Sequence, residues 1–111
     1  MKLKDYIDED NQLFEMSNLH KRHTGIDYTI WVSSKIGVKH GPRVKLSSKN
    51  NTENLDVVIT VESNPTLLHG KLPSKVLDDV KMWIIKNEDV LIKYWHNKID
   101  TSEMIDSIKR L

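Results

Sequence analysis

The stretch Gly70–Asn97, GKLPSKVLDDVKMWIIKNEDVLIKYWHN, decides the fold, because it holds two of the three tryptophans and the longest helical periodicity in the chain. Val76, Leu77, Val80, Trp83 and Ile84 recur at the i, i+1, i+4, i+7, i+8 spacing that lays one apolar stripe along an α-helix. Lys75, Asp78, Asp79, Lys81 and Lys86 fall mostly on the opposite face. Pro73 suits a helix start, where its missing N–H costs nothing and its φ is already helical. Asn87-Glu88-Asp89 interrupts the stripe, and Val90, Leu91, Tyr94 and Trp95 begin another. The expectation is a helix, a break near Asn87, and a second helix to about His96; the alternative is one long helix with a polar interruption. Trp83 and Trp95, with aliphatic neighbours at helical spacing, read as core anchors covering a sheet.

Upstream, Tyr28-Thr29-Ile30-Trp31-Val32 reads as a strand, with Tyr28, Ile30 and Val32 on the core face and Trp31 on the other. Gly37 and Gly41-Pro42 mark a loop. Arg43-Val44-Lys45-Leu46 alternates, Val44 and Leu46 inward, Arg43 and Lys45 outward. A polar tip, SSKNNTEN (47–54), leads to a third strand over Leu55–Glu62. Short links between consecutive strands imply an antiparallel meander over 28–62. Residues 1–25 read as an N-terminal arm with apolar clusters at Leu3, Tyr6, Ile7 and at Leu13, Phe14, Met16, Leu19. Asn64-Pro65 and His69-Gly70 read as a connection. Asp100-Thr-Ser-Glu103 has the form of a capping box ahead of Met104, Ile105, Ile108 and Leu111, with Lys109 and Arg110 at the far end of the short helix it opens. The expected fold is α+β in a single domain, 1–111: a three-stranded antiparallel sheet, a broken helix packed on one face, and a short C-terminal helix, the helical part running over 73–111. An open sheet of this kind leaves edges, and a homodimer through an edge or through the Trp31 face would cover them.

Composition narrows the classes. At 111 residues the chain can bury a core without covalent staples, so the absence of cysteine is no handicap. No cysteine and no signal peptide point to a cytoplasmic setting, and no apolar run approaches the roughly 20 residues of a membrane span. The net charge of +1 conceals an uneven distribution. Residues 1–19 hold two lysines against five acids, a net −3. Residues 20–49 hold seven Lys/Arg against Asp27 alone, a net +6, and residues 50–111 hold eight against ten, a net −2. Such a basic block suits an anionic partner, nucleic acid or an acidic protein surface; it would equally neutralise the acidic flanks within one fold.

From the strand pair through Gly70-Lys71-Leu72-Pro73 to Trp83 and Trp95, the chain resembles a family of small bacterial proteins known only as domain-of-unknown-function family 4160. The likeness spans about residues 28–97 and is strongest in GKLPSKVLDDVKMWI. Members join a histidine-bearing hairpin to a G-x-L-P turn and a helix with two tryptophans. The family hairpin commonly reads His-x-His, whereas this chain has Lys39-His40-Gly41-Pro42-Arg43, with one histidine. The resemblance implies a bacterial or phage setting near toxin–antitoxin or other mobile-element genes. It brings no known activity. Abundant lysine and asparagine, with little arginine, fit an AT-rich genome of that kind.

The candidate site is the basic hairpin: Lys39, His40, Arg43 and Lys45, with Trp31 on the neighbouring strand. Arg43 supplies a bidentate fork for a phosphate, and an exposed aromatic beside cations can stack a base. The competing reading pairs Arg43 and Lys45 with cross-strand acids such as Asp56 or Glu62. His20-x-x-His23, His40, His69 and His96 match no metal-ligand spacing, and no cofactor motif is present, so neither metal nor cofactor is expected. The serines sit in no nucleophile context. The expected function is a small non-enzymatic binding protein that engages an acidic partner. The alternative is a metal-free ribonuclease-like toxin with His40 as base and Arg43 or Lys45 as phosphate clamp.

Overall fold

The computed structural model describes residues 16–34, 40–46 and 57–111. The fold is α+β, as expected, but the sheet has five strands. They are β1 (Met16–Leu19), β2 (Ile30–Ser33), β3 (Arg43–Leu46), β4 (Val57–Thr60) and β5 (Leu67–His69), each antiparallel to the next in chain order. The described residues also form three helices: α1 (Lys21–Thr24), α2 (Ser74–Trp95) and α3 (Thr101–Ser107).

The three-stranded meander is thus the centre of a wider one, and both additions are edges. β1 comes from the expected arm and β5 from the expected connection. Neither Met16–Leu19 nor Leu67–His69 contains a β-branched residue or an apolar–polar alternation, so neither announces itself in sequence. Short edge strands also offer little unpaired backbone to a passing chain. β5 joins β4 through an irregular register, Val58 opposite His69 but Ile59 opposite Leu67. Asn64-Pro65 does serve as a turn, closed by Thr60 N–H donating to Thr66 O at 2.9 Å. β2 begins at Ile30 rather than Tyr28, and β4 ends at Thr60 rather than Glu62. Leu55, Asp56, Lys39 and the 47–54 tip lie outside the described residues.

Alternation sets the two faces of the sheet. Leu19, Ile30, Leu46 and Val57 form one inward row, and Val32, Val44 and Ile59 another; all are buried. α2 covers them with Val80, Trp83, Ile84, Leu91 and Tyr94, and α3 adds Met104. Truncating a buried Trp or Ile in such a layer typically costs about 2–5 kcal/mol. Among the described residues the indole N–H of Trp83 has no acceptor, a polar group retained for the packing its ring provides.

α2 is continuous, and the expected break near Asn87 does not occur. Its buried positions run 80, 84, 87, 91, 94, so Asn87 belongs to the stripe instead of interrupting it. Asn87 is 2% exposed. Its Nδ2 donates to Trp83 O one turn back at 3.0 Å and to Lys109 O at 2.9 Å, and its Oδ1 accepts from Lys109 N–H at 2.8 Å. The chain after α3 therefore runs back along α2 in extended form. Lys109 and Arg110 lie beyond the last turn of α3 rather than in it. Arg110 O accepts from Lys86 Nζ at 2.7 Å, and Leu111 N–H donates to Thr24 O at 2.9 Å.

The starts of α2 and α3 behave as the sequence implies. Pro73 stands at the start of α2, with its carbonyl accepting from Leu77 N–H at 2.9 Å. Asp100 accepts from Glu103 N–H at 2.8 Å while Glu103 accepts from Asp100 N–H at 3.0 Å, a reciprocal capping box. Surface pairs Lys75–Asp79 and Lys93–Asp89 brace α2 at i, i+4 spacing. No helix among the described residues is long and apolar enough to cross a membrane.

Candidate functional site

The outer face of the sheet, away from α2, carries the basic hairpin's side chains. Cross-strand register aligns Asn18, Trp31, Lys45, Val58 and His69 in one row through all five strands. Neighbouring strands lie about 4.8 Å apart, so Trp31 and Lys45 stand side by side. Arg43, two residues along β3, faces the same way and sits opposite Thr60. Trp31, Arg43 and Lys45 are all half-exposed, as are Val58 and Thr60. Trp83 and Trp95 are buried, which leaves Trp31 as the tryptophan with ring surface toward solvent.

Arg43 also lines an open pocket of about 270 Å3 at this end of the sheet. Pro42, Val61 and Leu68 supply apolar walls, Thr60 and Glu62 the other polar ones. The Thr60 hydroxyl donates to Glu62 Oε2 and accepts from Thr66 N–H at 2.8 Å. Among the described residues, Arg43 and Glu62 form no ion pair with each other, so the cross-strand pairing anticipated for Arg43 is not made at Glu62; Asp56 lies outside the described residues.

His40 belongs elsewhere. Its ring packs on Trp95 of α2, centroids 5.5 Å apart at 33°, and its Nδ1 meets Gly41 O at 2.8 Å. This is the helix side of the structure, whereas Arg43 and Lys45 point from the opposite face of the sheet. Four of the five candidate binding residues are described, and three of them, Trp31, Arg43 and Lys45, share a surface.

Of the other histidines, His69 shares the row of Trp31 and Lys45. His20 stands at the N-cap of the short α1 and His23 lies within it, rings 6.4 Å apart, with His20 N–H donating to His23 Nδ1 at 3.2 Å. Partial burial, the Arg22 guanidinium and His20 together hold the His23 imidazole below its ordinary value. His69 ends the outer row on β5. No group of three or more His, Asp or Glu placed to hold a metal ion occurs among the described residues.

Sequence reasoning missed Thr60, Glu62 and Leu68 as pocket residues. Thr60 and Leu68 are brought to Arg43 by pairing between β3, β4 and β5, and no local motif encodes that pairing. The alternation of β3 with β4 was the one available signal. In comparisons with known proteins, no family model matches the chain, and no curated protein or solved structure matches it.

Proposed function

We propose that this protein is a small non-enzymatic binding protein that engages an acidic partner through the outer face of its sheet, with Arg43 and Lys45 as cationic contacts and Trp31 as the stacking surface. The observation that carries the reading is the register of Trp31 with Lys45, which turns two residues 14 positions apart into neighbours on a half-exposed strand face. A flat aromatic flanked by cations suits single-stranded nucleic acid better than an acidic protein surface, since bases stack while phosphates meet the charges. The resemblance to domain-of-unknown-function family 4160, and the bacterial or phage mobile-element setting it implies, belong to the same proposal, as does a cytoplasmic location.

The ribonuclease alternative draws less support. A His40 base would need Arg43 or Lys45 to clamp the phosphate beside it, and His40 packs instead on Trp95.

The test is a titration of the protein with single-stranded RNA and DNA oligonucleotides across a salt series, read by tryptophan fluorescence, with RNA integrity followed in the same tubes. Trp31 dominates the quenchable signal because the other two indoles are buried. The expected result is quenching whose affinity falls steeply with salt and is lost in Lys45→Glu. Polyglutamate as competitor distinguishes a general preference for acidic polymers. Absence of binding to oligonucleotides and polyglutamate alike would overturn the proposal. RNA cleavage abolished by His40→Ala would establish the alternative.

A further inference from the structure

The pocket beside Arg43 has a chemistry of its own. One wall ends in a guanidinium, which only donates hydrogen bonds, and another in a carboxylate, which only accepts them. Thr60 occupies Oε2 of Glu62 and leaves Oε1 without a protein partner among the described residues. Arg43 likewise makes no hydrogen bond or ion pair among them. Both groups stand on apolar surface from Pro42, Val61 and Leu68, and Leu68 is 48% exposed, an unusual placement for leucine beside two charges.

A ligand that satisfies this pocket presents acceptors on one edge, donors on an adjacent edge, and an apolar face. Its volume suits a single small ring system. Guanine has this pattern: O6 and N7 accept on one edge, while N1–H and the N2 amino group donate on the next. Arginine to O6 and N7 is the commonest specific contact made to this base, and a carboxylate suits its donor edge. Guanine differs from the other bases in presenting two adjacent acceptors beside two adjacent donor groups: cytosine offers its N3/O2 acceptors with a single amino group, and adenine and uracil have no adjacent acceptor pair for the guanidinium. Arg43 lies on the face that carries Trp31 and Lys45, so a strand laid across that face brings a base to the pocket mouth.

We propose that this pocket is a guanine-selective subsite, with Arg43 donating to the O6/N7 edge and Glu62 accepting from the N1/N2 edge. The proposal rests on the sheet-face reading only for how a strand reaches the pocket.

The experiment compares a labelled eight-nucleotide uridine strand with the same strand carrying one central guanosine or one adenosine, by fluorescence anisotropy. Free GMP and AMP are titrated in parallel and read by NMR shifts of the Thr60–Glu62 amides. The guanosine strand is expected to bind about tenfold more tightly than the other two, within the range one bidentate base contact provides. Glu62→Gln brings that ratio to about one, and its melting temperature controls for folding, since Glu62 is exposed. If strands bind without preference, or the preference survives Glu62→Gln, the subsite is overturned and the sheet-face reading stands. If no strand binds, GMP decides alone: selective shifts at Thr60–Glu62 uphold the subsite without the sheet-face reading, and no shifts, or equal shifts with AMP, overturn it.

Discussion

Asn87 holds both main-chain polar groups of Lys109: Oδ1 accepts from Lys109 N–H at 2.8 Å and Nδ2 donates to Lys109 O at 2.9 Å. A primary amide matches a backbone amide in this way much as one strand matches another. The residues after α3 are thereby tied to the middle of α2 without forming a strand or helix of their own. The arrangement also explains why a buried asparagine is tolerated at the centre of an apolar stripe, since its amide is matched to Lys109 and to Trp83 O.

Replacing Asn87 should therefore cost more than its size suggests. Asn87→Leu keeps the branched outline of the side chain but strands Lys109 N–H and C=O, and a buried unsatisfied group costs about 1–3 kcal/mol. Asn87→Asp keeps the acceptor but turns a carboxylate toward the carbonyls of Trp83 and Lys109, so it should be the worse of the two. Urea denaturation measures both. Removal of residues 108–111 in the Asn87→Leu background should add far less than it does in the parent, because the two changes delete the same contact.

Tyr94 ties three elements with one hydroxyl. Its OH lies 3.0 Å from Ser17 Oγ on β1 and 3.0 Å from Thr101 Oγ1 on α3, while the ring is buried under the sheet. Tyr94→Phe keeps the ring and removes both bonds, for an expected loss of about 1–2 kcal/mol. Hydrogen exchange should show where the loss falls. Faster exchange at the β1 amides, with the β3–β4 ladder unchanged, is the expected pattern, since β1 is the short edge strand released.

These two side chains also mark how far the sequence could be read. The α2 stripe, the alternation of β3 and the Asp100–Glu103 box are local, and each is encoded within a few residues of where it acts. Asn87 is different. Its partner lies 22 residues away, so from sequence alone an asparagine followed by two acids reads as a helix break. The outer-face site divides along the same line. Arg43 and Lys45 are legible as one outward pair from β3 alone. Placing Trp31 beside Lys45, and Thr60 and Leu68 around Arg43, requires the register of four strands. His40 illustrates the converse: nearness in sequence to Arg43 suggested a shared site, and the ring instead packs on Trp95, 55 positions away.

Gly25 is fixed by the same C-terminal segment. Its φ of +81° lies in the left-handed region, where it ends α1 with its N–H donating to Lys21 O at 2.7 Å. A Cβ there would stand 3.1 Å from Leu111 O, against backbone rather than a yielding side-chain tip. Gly25→Ala combines a strained dihedral with a main-chain clash, and about 1–2 kcal/mol of destabilisation is expected. Thermal unfolding measures it. Part of the loss should be relieved when residue 111 is removed, because the clash goes and the dihedral strain stays.

His23 makes stability depend on pH. Burial, then Arg22, then His20 hold its imidazole below the ordinary histidine value, so the folded chain disfavours the charged form relative to the unfolded chain. Between the folded and unfolded values the unfolded chain binds more protons, and stability therefore rises with pH across that window. The contribution is fully present above about pH 6.5, the unfolded histidine value, and is lost as pH falls through the lowered folded value. Neutral His23 is also the form that accepts from His20 N–H through Nδ1, and protonation removes that acceptor. Urea midpoints for the parent and for His23→Gln, measured from pH 7.5 to 5.0, should diverge above pH 6.5 and converge as the pH falls. A parent whose midpoint is no more sensitive to acid than that of His23→Gln would show that the imidazole does not couple to folding.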